Sequence, residues 1–273
     1  MFLNGFPLFD LSTLRIPGVL QRIALCYAGA AALTLSTGVR AQAVLFSLIV
    51  VAYGSAMTWI PAPGSLVGLS PESNLAAWMD ERLLHGHLLH DGWDPEGLLT
   101  TLPALATTLC GTLAGQWLRR SRPRHQQALG LALLGSVGVV LGLSLDPICP
   151  INKTLWSSSF VLFTGGAALA GLALCLWLID VRGWQSWSTP FIAYGRNPIV
   201  AYVLSTLVAK QLLLWSLPQP DGTSTNAANY IFQKFYLPLA QPVTASFLYA
   251  ATYTLLWLGV AAALYRRGVL IKV

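Results

Sequence analysis

Charge is scarce in this chain: only 10% of its 273 residues are Asp, Glu, Lys or Arg, against 55% apolar. That composition excludes a disordered, solvating polypeptide. Heptads, low-complexity tracts and fixed-period repeats are absent, which removes coiled coils and solenoids. The apolar–polar alternation of barrel strands is missing too. Cysteines number four. Cys26, Cys110 and Cys175 fall within apolar runs and Cys149 in a turn without a nearby partner, so no disulfide framework is supported. The N-terminus also lacks the basic segment, apolar core and cleavage site of a signal peptide.

What the chain has instead is long apolar runs, with a mean hydropathy of +0.62. Seven of them suffice to cross about 30 Å of hydrocarbon as helices of about 20 residues. They run approximately from Pro17 to Ser36, Ala41 to Ile60, Leu98 to Leu118, Gln126 to Leu145, Trp156 to Ile179, Pro198 to Trp215 and Val243 to Tyr265. The expected fold class is therefore all-α, a polytopic transmembrane helix bundle. Residues 1–273 form a single domain in this reading, with external loops at about 61–97, 146–155 and 217–242.

The net charge of +6 is distributed by topology rather than as a nucleic-acid patch. Ten of the sixteen basic residues, including Arg40, Arg119, Arg120, Arg122, Arg124, Arg182, Arg196 and Arg266, lie on one side of the alternating path. Nine of the ten acidic residues, all but Asp180, lie on the other. The positive-inside rule makes the basic side cytoplasmic, and the C-terminus with it. Seven spans then put Met1 to Ile16 outside without a signal peptide. An odd number of helices upstream of Met1 explains this most simply, so the chain is expected to be the C-terminal part of a longer protein, or one whose start has been placed too late.

Several residues carry candidate chemistry. Arg22 lies roughly 7–8 Å inside the first span, counted from Pro17 at about 1.5 Å per residue. A guanidinium at that depth faces a cavity or a partner rather than lipid. Asp94-Pro-Glu96 reads first as a helix start, with Asp94 as N-cap and Pro95 at N1. The same two carboxylates can orient a hydroxyl or an amine. The segment before it offers a short amphipathic helix through Leu75, Trp78, Met79 and Leu83. His85, His87 and His90 have no metal-site spacing and read as a mobile polar loop, so no metal is expected.

The turn from Asp146 to Trp156 is stiffened by two prolines. Lys153 and Trp156 there are equally readable as interface anchors. Asn152-Lys-Thr matches a glycosylation sequon, but the short loop argues against its use. Tyr194-Gly-Arg-Asn-Pro198 opens the sixth span, where Arg196 serves either as a topology anchor or as a phosphate partner at a helix N-terminus. Gly111 and Gly115 form a GxxxG expected to allow close helix packing. Pro103 is expected to kink the third span.

Taken in order, Asn4-Gly-Phe-Pro7, Arg15-Ile-Pro-Gly-Val-Leu-Gln-Arg22, Trp93-Asp-Pro-Glu-Gly-Leu-Leu99, Pro150-Ile-Asn-Lys-Thr-Leu-Trp156 and Gly195-Arg-Asn-Pro198 resemble the heparan-α-glucosaminide N-acetyltransferase family, most closely its bacterial, NagX-like branch. Those motifs span essentially the whole chain. The resemblance implies a membrane acyltransferase that moves an acetyl group from cytosolic acetyl-CoA to an amino sugar or glycan across the membrane. It marks Arg22, Asp94, Glu96, Asn152 and Lys153 as substrate-binding candidates, and Arg196 and Asn197 as candidates on the cofactor side. The expected partners are that acceptor, the lipid bilayer and a second copy of the chain, in a bacterial inner membrane; nucleic acid is not among them.

The family's upstream segments, including the His-x-x-Trp-x-Gly segment with its proposed catalytic histidine, have no counterpart here: no His precedes His85, and His85, His87, His90 and His125 stand in a different context. The expectation is a ten-span whole of which these 273 residues hold seven, inactive alone. Two rival readings stand beside it, a transporter for a sugar or organic anion and a non-catalytic membrane protein.

Overall fold

The computed structural model describes residues 14–64, 68–218 and 224–271. Asn4 to Pro7, residues 219–223 of the third predicted loop, and Lys272 lie outside them. The protein is an all-α, multi-pass helical membrane protein. Five described helices are long and apolar enough to cross a bilayer, and a sixth if one bent pair is taken as a single span. The chain divides into two compact units, Met1–Gly183 and Trp184–Val273.

In the first unit, α1 (Val19–Ser36) and α2 (Val39–Trp59) are joined by a two-residue turn. α2 stops before Ile60-Pro61, because a proline pushes the residue before it out of the helical region. Ile60 is accordingly extended, at φ −100° and ψ 112°. The expected amphipathic helix is α3 (Leu75–Leu84). Asn74 caps it, accepting from the N–H groups of Ala76 and Ala77 at 2.8 and 3.0 Å, which satisfies two otherwise orphaned donors.

The third predicted span forms α4 (Thr101–Leu118), and it differs from expectation in two ways. Its composition falls short of the five spanning helices, because Thr101, Thr107, Thr108, Thr112 and Gln116 dilute its apolar content. The hydroxyls of Thr107, Thr108 and Thr112 donate to carbonyls of α4 itself, and the helix packs against α1, α2 and α6. Gln116, for example, donates to Gln42 of α2 at 2.7 Å. Pro103, moreover, lies in the first turn of α4 rather than in mid-helix. Its missing N–H there is one that no intrahelical carbonyl would have met, so it breaks no hydrogen bond.

α5 (Arg124–Leu145) and α6 (Ser158–Leu176) form the closest helix pair. A Cβ on Gly166 would sit 2.5 Å from the amide nitrogen of Val139, and one on Gly135 2.7 Å from that of Ala170. Backbones approach this closely only where side chains are absent. Gly111 and Gly115, the predicted packing pair, have nothing within 4 Å of a built Cβ. The close-packing glycines are therefore those of the fourth and fifth spans.

In the second unit, the helical segment Ser186–Arg196, most of it α7 (Thr189–Arg196), meets α8 (Pro198–Leu214) at a 70° bend. Pro198 opens α8, a position where its fixed φ suits the first turn. A three-residue hairpin, β1 (Ser216–Pro218) with β2 (Ser224–Asn226), and the short α9 (Ala227–Ile231) follow. α10 (Pro242–Arg266) completes the unit. It is tied to α7 by the Tyr194 hydroxyl, which donates to the Thr254 carbonyl at 2.9 Å. The Tyr253 hydroxyl ties it to α8 through the Ser205 carbonyl at 2.6 Å.

Candidate functional site

The turn before α4 is the centre of the polar chemistry in the first unit. The expected helix start at Asp94 is not what forms: the helix begins at Thr101, and Asp94 instead anchors a turn. Its carboxylate accepts from the N–H groups of Glu96 and Leu89, both at 2.9 Å. Arg15 completes the shell, its Nε donating to Asp94 at 2.8 Å and its Nη2 at 2.6 Å. The same Nη2 reaches Glu96 at 2.5 Å. Asp94's side chain has no exposed surface, while that of Glu96 keeps 18%. Burial by itself would raise the Asp94 pKa, but the bonds from Arg15, Glu96 and Leu89 outweigh it and hold the carboxyl below its ordinary range.

Arg22 lies next to this turn. It is 6% exposed and donates through Nη2 to the Pro95 carbonyl at 2.5 Å and the Thr100 hydroxyl at 2.6 Å. Its Nε is buried without a hydrogen-bond partner. No carboxylate among the described residues stands within salt-bridge distance of it, because Asp94 and Glu96 are committed to Arg15. A buried donor left unmet costs on the order of 1–3 kcal/mol. That open valence is what an oxygen-bearing ligand could fill.

The proline-stiffened turn reaches Arg22 through one side chain. The Trp156 ring lies 5.0 Å from the Arg22 guanidinium carbon, and its Nε1 donates to Thr107 of α4 at 3.1 Å. Trp156 has φ +51°, the one positive value among described non-glycine residues. Asn152 and Lys153 precede it. The Asn152 side chain accepts from the Thr154 N–H at 2.8 Å and so shapes the turn, while Lys153 is exposed. The structure thus joins Arg22, Asp94 and Glu96 in one cluster and leaves Asn152 and Lys153 on the adjoining turn.

Arg196 and Asn197 belong to the second unit. The Arg196 guanidinium lies 5.2 Å from the Tyr265 ring. Asn197 is buried, donating to the Val269 carbonyl and accepting from the Ile271 N–H, both at 2.9 Å. Its amide holds the C-terminal segment against the bend. The three loop histidines are also engaged. His87 pairs through Nδ1 with the Leu14 carbonyl at 2.9 Å, His85 with Glu81, and His90 stacks on Trp93 at 4.3 Å. The loop expected to be a mobile polar segment is thereby pinned beside Arg15.

Four contributors escaped the sequence reading as site residues: Arg15, Thr100, Asp80 and Gly97. Arg15 carried a signal, since two carboxylates two residues apart call for a cation. Asp80 of α3 is 1% exposed and accepts from the Leu98 N–H at 2.8 Å. A Cβ on Gly97 would overlap its carboxylate. Burial pushes the Asp80 pKa up to about 6.

No family model matches the chain. Among curated proteins it is similar to heparan-alpha-glucosaminide N-acetyltransferase of Homo sapiens, 32% identical over 119 residues, and to that of Mus musculus at the same identity and length. The matched segment covers 41% of this chain but 18% of each relative. These matches establish a distant relationship between this membrane protein and those two N-acetyltransferases.

Proposed function

We propose that the chain is part of a membrane acyltransferase that moves an acetyl group from cytosolic acetyl-CoA to an amino sugar on the opposite side of the membrane. The observation that carries the reading is Arg22, a buried guanidinium with an unmet Nε under the 94–100 turn. The distant kinship with two N-acetyltransferases supports it. In the reaction the acceptor amine attacks the thioester carbonyl. The C–N bond forms, the C–S bond breaks, and the amine's proton ends on the departing thiol. Negative charge develops on the carbonyl oxygen, and a preorganised donor in a dry site stabilises it. Arg22 has that role here, while Glu96, the more exposed carboxylate of the turn, holds a sugar hydroxyl.

Asn152 and Lys153 line the acceptor's approach in this reading, and Arg196 and Asn197 belong to the acetyl-CoA side. The basic side of the topology is cytoplasmic, the C-terminus included, in a bacterial inner membrane. The general base in this reading is a histidine of a His-x-x-Trp-x-Gly segment, and the four histidines of these 273 residues lie in other contexts, so the proposal includes that the chain alone is inactive.

The test is transfer of labelled acetyl from acetyl-CoA to glucosamine in proteoliposomes. It is run with the chain alone and with an upstream segment bearing His-x-x-Trp-x-Gly joined to it. Transfer only by the longer form, lost in Arg22→Ala, is expected. Transfer by the chain alone overturns its inactivity, and no transfer by either form overturns the reaction. The 70° bend between α7 and α8 favours one other reading, because discontinuous spans line transport sites. Sugar uptake into vesicles without acetyl-CoA would establish that reading instead.

A further inference from the structure

In the first unit, α2, α4, α5 and α6 leave a cavity of about 340 Å³ between them. Its walls are apolar, with Phe46 from α2, Leu113 from α4, Val137 from α5 and Val161 from α6. On α5 the lining runs from Leu131 to Leu141, which at about 1.5 Å per residue is roughly 15 Å along the helix. On the antiparallel α6 it runs back from Leu169 to Val161. The cavity therefore follows the helix axes and opens sideways past the exposed Val137 and Leu141.

One end differs from the rest. Arg120, just past the end of α4, is the one charged residue in the lining. Its guanidinium lies 5.4 Å from the Trp117 ring, and that of Arg122 lies 4.5 Å from the same ring. Trp117 is fixed there, its Nε1 donating to the Gln127 carbonyl at 3.2 Å and its ring filling the space where Gly130 lacks a Cβ. Arg119 and Arg124 flank this collar.

Shape and charge together select the occupant. Water does not fill an apolar cavity of this kind. An apolar groove that follows the helix axes suits an alkyl chain, and an anionic head group matches the arginines at the end. We infer that this groove binds one acyl chain of an anionic phospholipid, with the lipid phosphate held by Arg120 and Arg122. The site rests on the first unit alone and does not depend on the proposed acyl transfer.

The test uses the full chain in nanodiscs of phosphatidylglycerol doped with an analogue carrying a diazirine midway along one acyl chain. After illumination, adducts are mapped by peptide mass spectrometry. They are expected at Leu113, Val137 and Leu141 at several times the level on the outward-facing Leu133 and Val140. R120A/R122A, at two exposed positions, should lower the groove adducts several-fold and leave the outward ones unchanged. Leu113→Trp, which fills the groove, should do the same. Equal labelling of groove and outward residues would overturn the site. So would groove labelling indifferent to R120A/R122A, or equally strong with a phosphatidylcholine analogue. A disulfide-linked dimer abolished by Cys110→Ser, with no groove adducts, would assign the surface to a second copy of the chain and overturn the lipid.

Discussion

The Arg22 guanidinium stacks on the Trp156 ring, 5.0 Å from its centre, and Trp156 holds a left-handed backbone at φ +51° to present that ring. A non-glycine residue in that region costs roughly 1–2 kcal/mol. A cation over a desolvated indole face returns up to about 2 kcal/mol. The conformation persists because ring, cation and Thr107 bond all depend on it.

Trp156→Phe keeps a ring over Arg22 and loses the bond to Thr107, so about 1 kcal/mol of stability should be lost. Trp156→Ala should cost more, toward the ~3 kcal/mol lower end for truncating a large aromatic. Thermal unfolding in detergent orders the two variants, and a Phe variant as unstable as the Ala variant would contradict the stacking role.

Removing Arg15 strands a fully buried carboxylate. Arg15→Ala should destabilise by about 3–5 kcal/mol, the cost of breaking one side of a buried pair. Arg15→Lys should recover only part of this, because an ammonium cannot reproduce the two-pronged grip on Asp94. Asp94→Asn in the Arg15→Ala background should restore stability relative to Arg15→Ala alone, as read by the melting temperature.

Gly97 and Asp80 should behave as a coupled pair. Gly97→Ala places a methyl on the Asp80 carboxylate and should destabilise. In an Asp80→Ala background the same change should be nearly neutral. A double-mutant cycle is expected to give a coupling above about 1 kcal/mol, and additive effects would refute the overlap.

The two carboxylates give opposite pH dependences. Asp80 has a folded-state pKa raised to about 6 from its ordinary 3.8. The folded form therefore binds more protons between those values, and the stability Asp80 contributes falls as pH rises from 4 to 6. Asp94 has a lowered pKa, so its contribution is present above the ordinary carboxylate range and lost as pH falls below it. Asp80→Asn should accordingly gain stability relative to the unaltered protein between pH 4 and 6 and hold that gain above. A flat difference across that window would show that Asp80 does not titrate there.

Gly166→Ala should destabilise strongly, because the added Cβ meets the Val139 amide nitrogen at 2.5 Å. Gly111→Ala should be neutral or slightly stabilising, since it meets nothing and Ala is the better helix former. The pair of melting temperatures separates the two glycine sets directly.

The spans were legible because apolar runs of about 20 residues have few other readings. α3 was legible because its apolar residues recur at helical spacing. What composition could not convey was which face of each helix meets protein. That is why α4 reads as a span although its threonine hydroxyls bond back to its own carbonyls and Gln116 turns to α2. It is also why a regular GxxxG pointed to Gly111 and Gly115 when the contact lies at Gly135 and Gly166. At the site, Arg22 announced itself by depth and the Asp94 and Glu96 carboxylates by motif. Asp80 did not, because its importance comes from a glycine 17 positions away that leaves space for it. Pairings across such separations depend on the fold and leave no local pattern.

Where α5 and α6 touch through backbone atoms, their separation is set by main-chain geometry rather than by rotamers that can readjust. The two helices then act mechanically as one stiff plate. Any widening or narrowing of the groove they wall must come from α2 and α4 sliding over that plate. Of these, α4 carries Thr107, which meets Trp156, and begins directly after Thr100, which meets Arg22, so strain at the groove and strain at the arginine cluster are borne by one continuous segment.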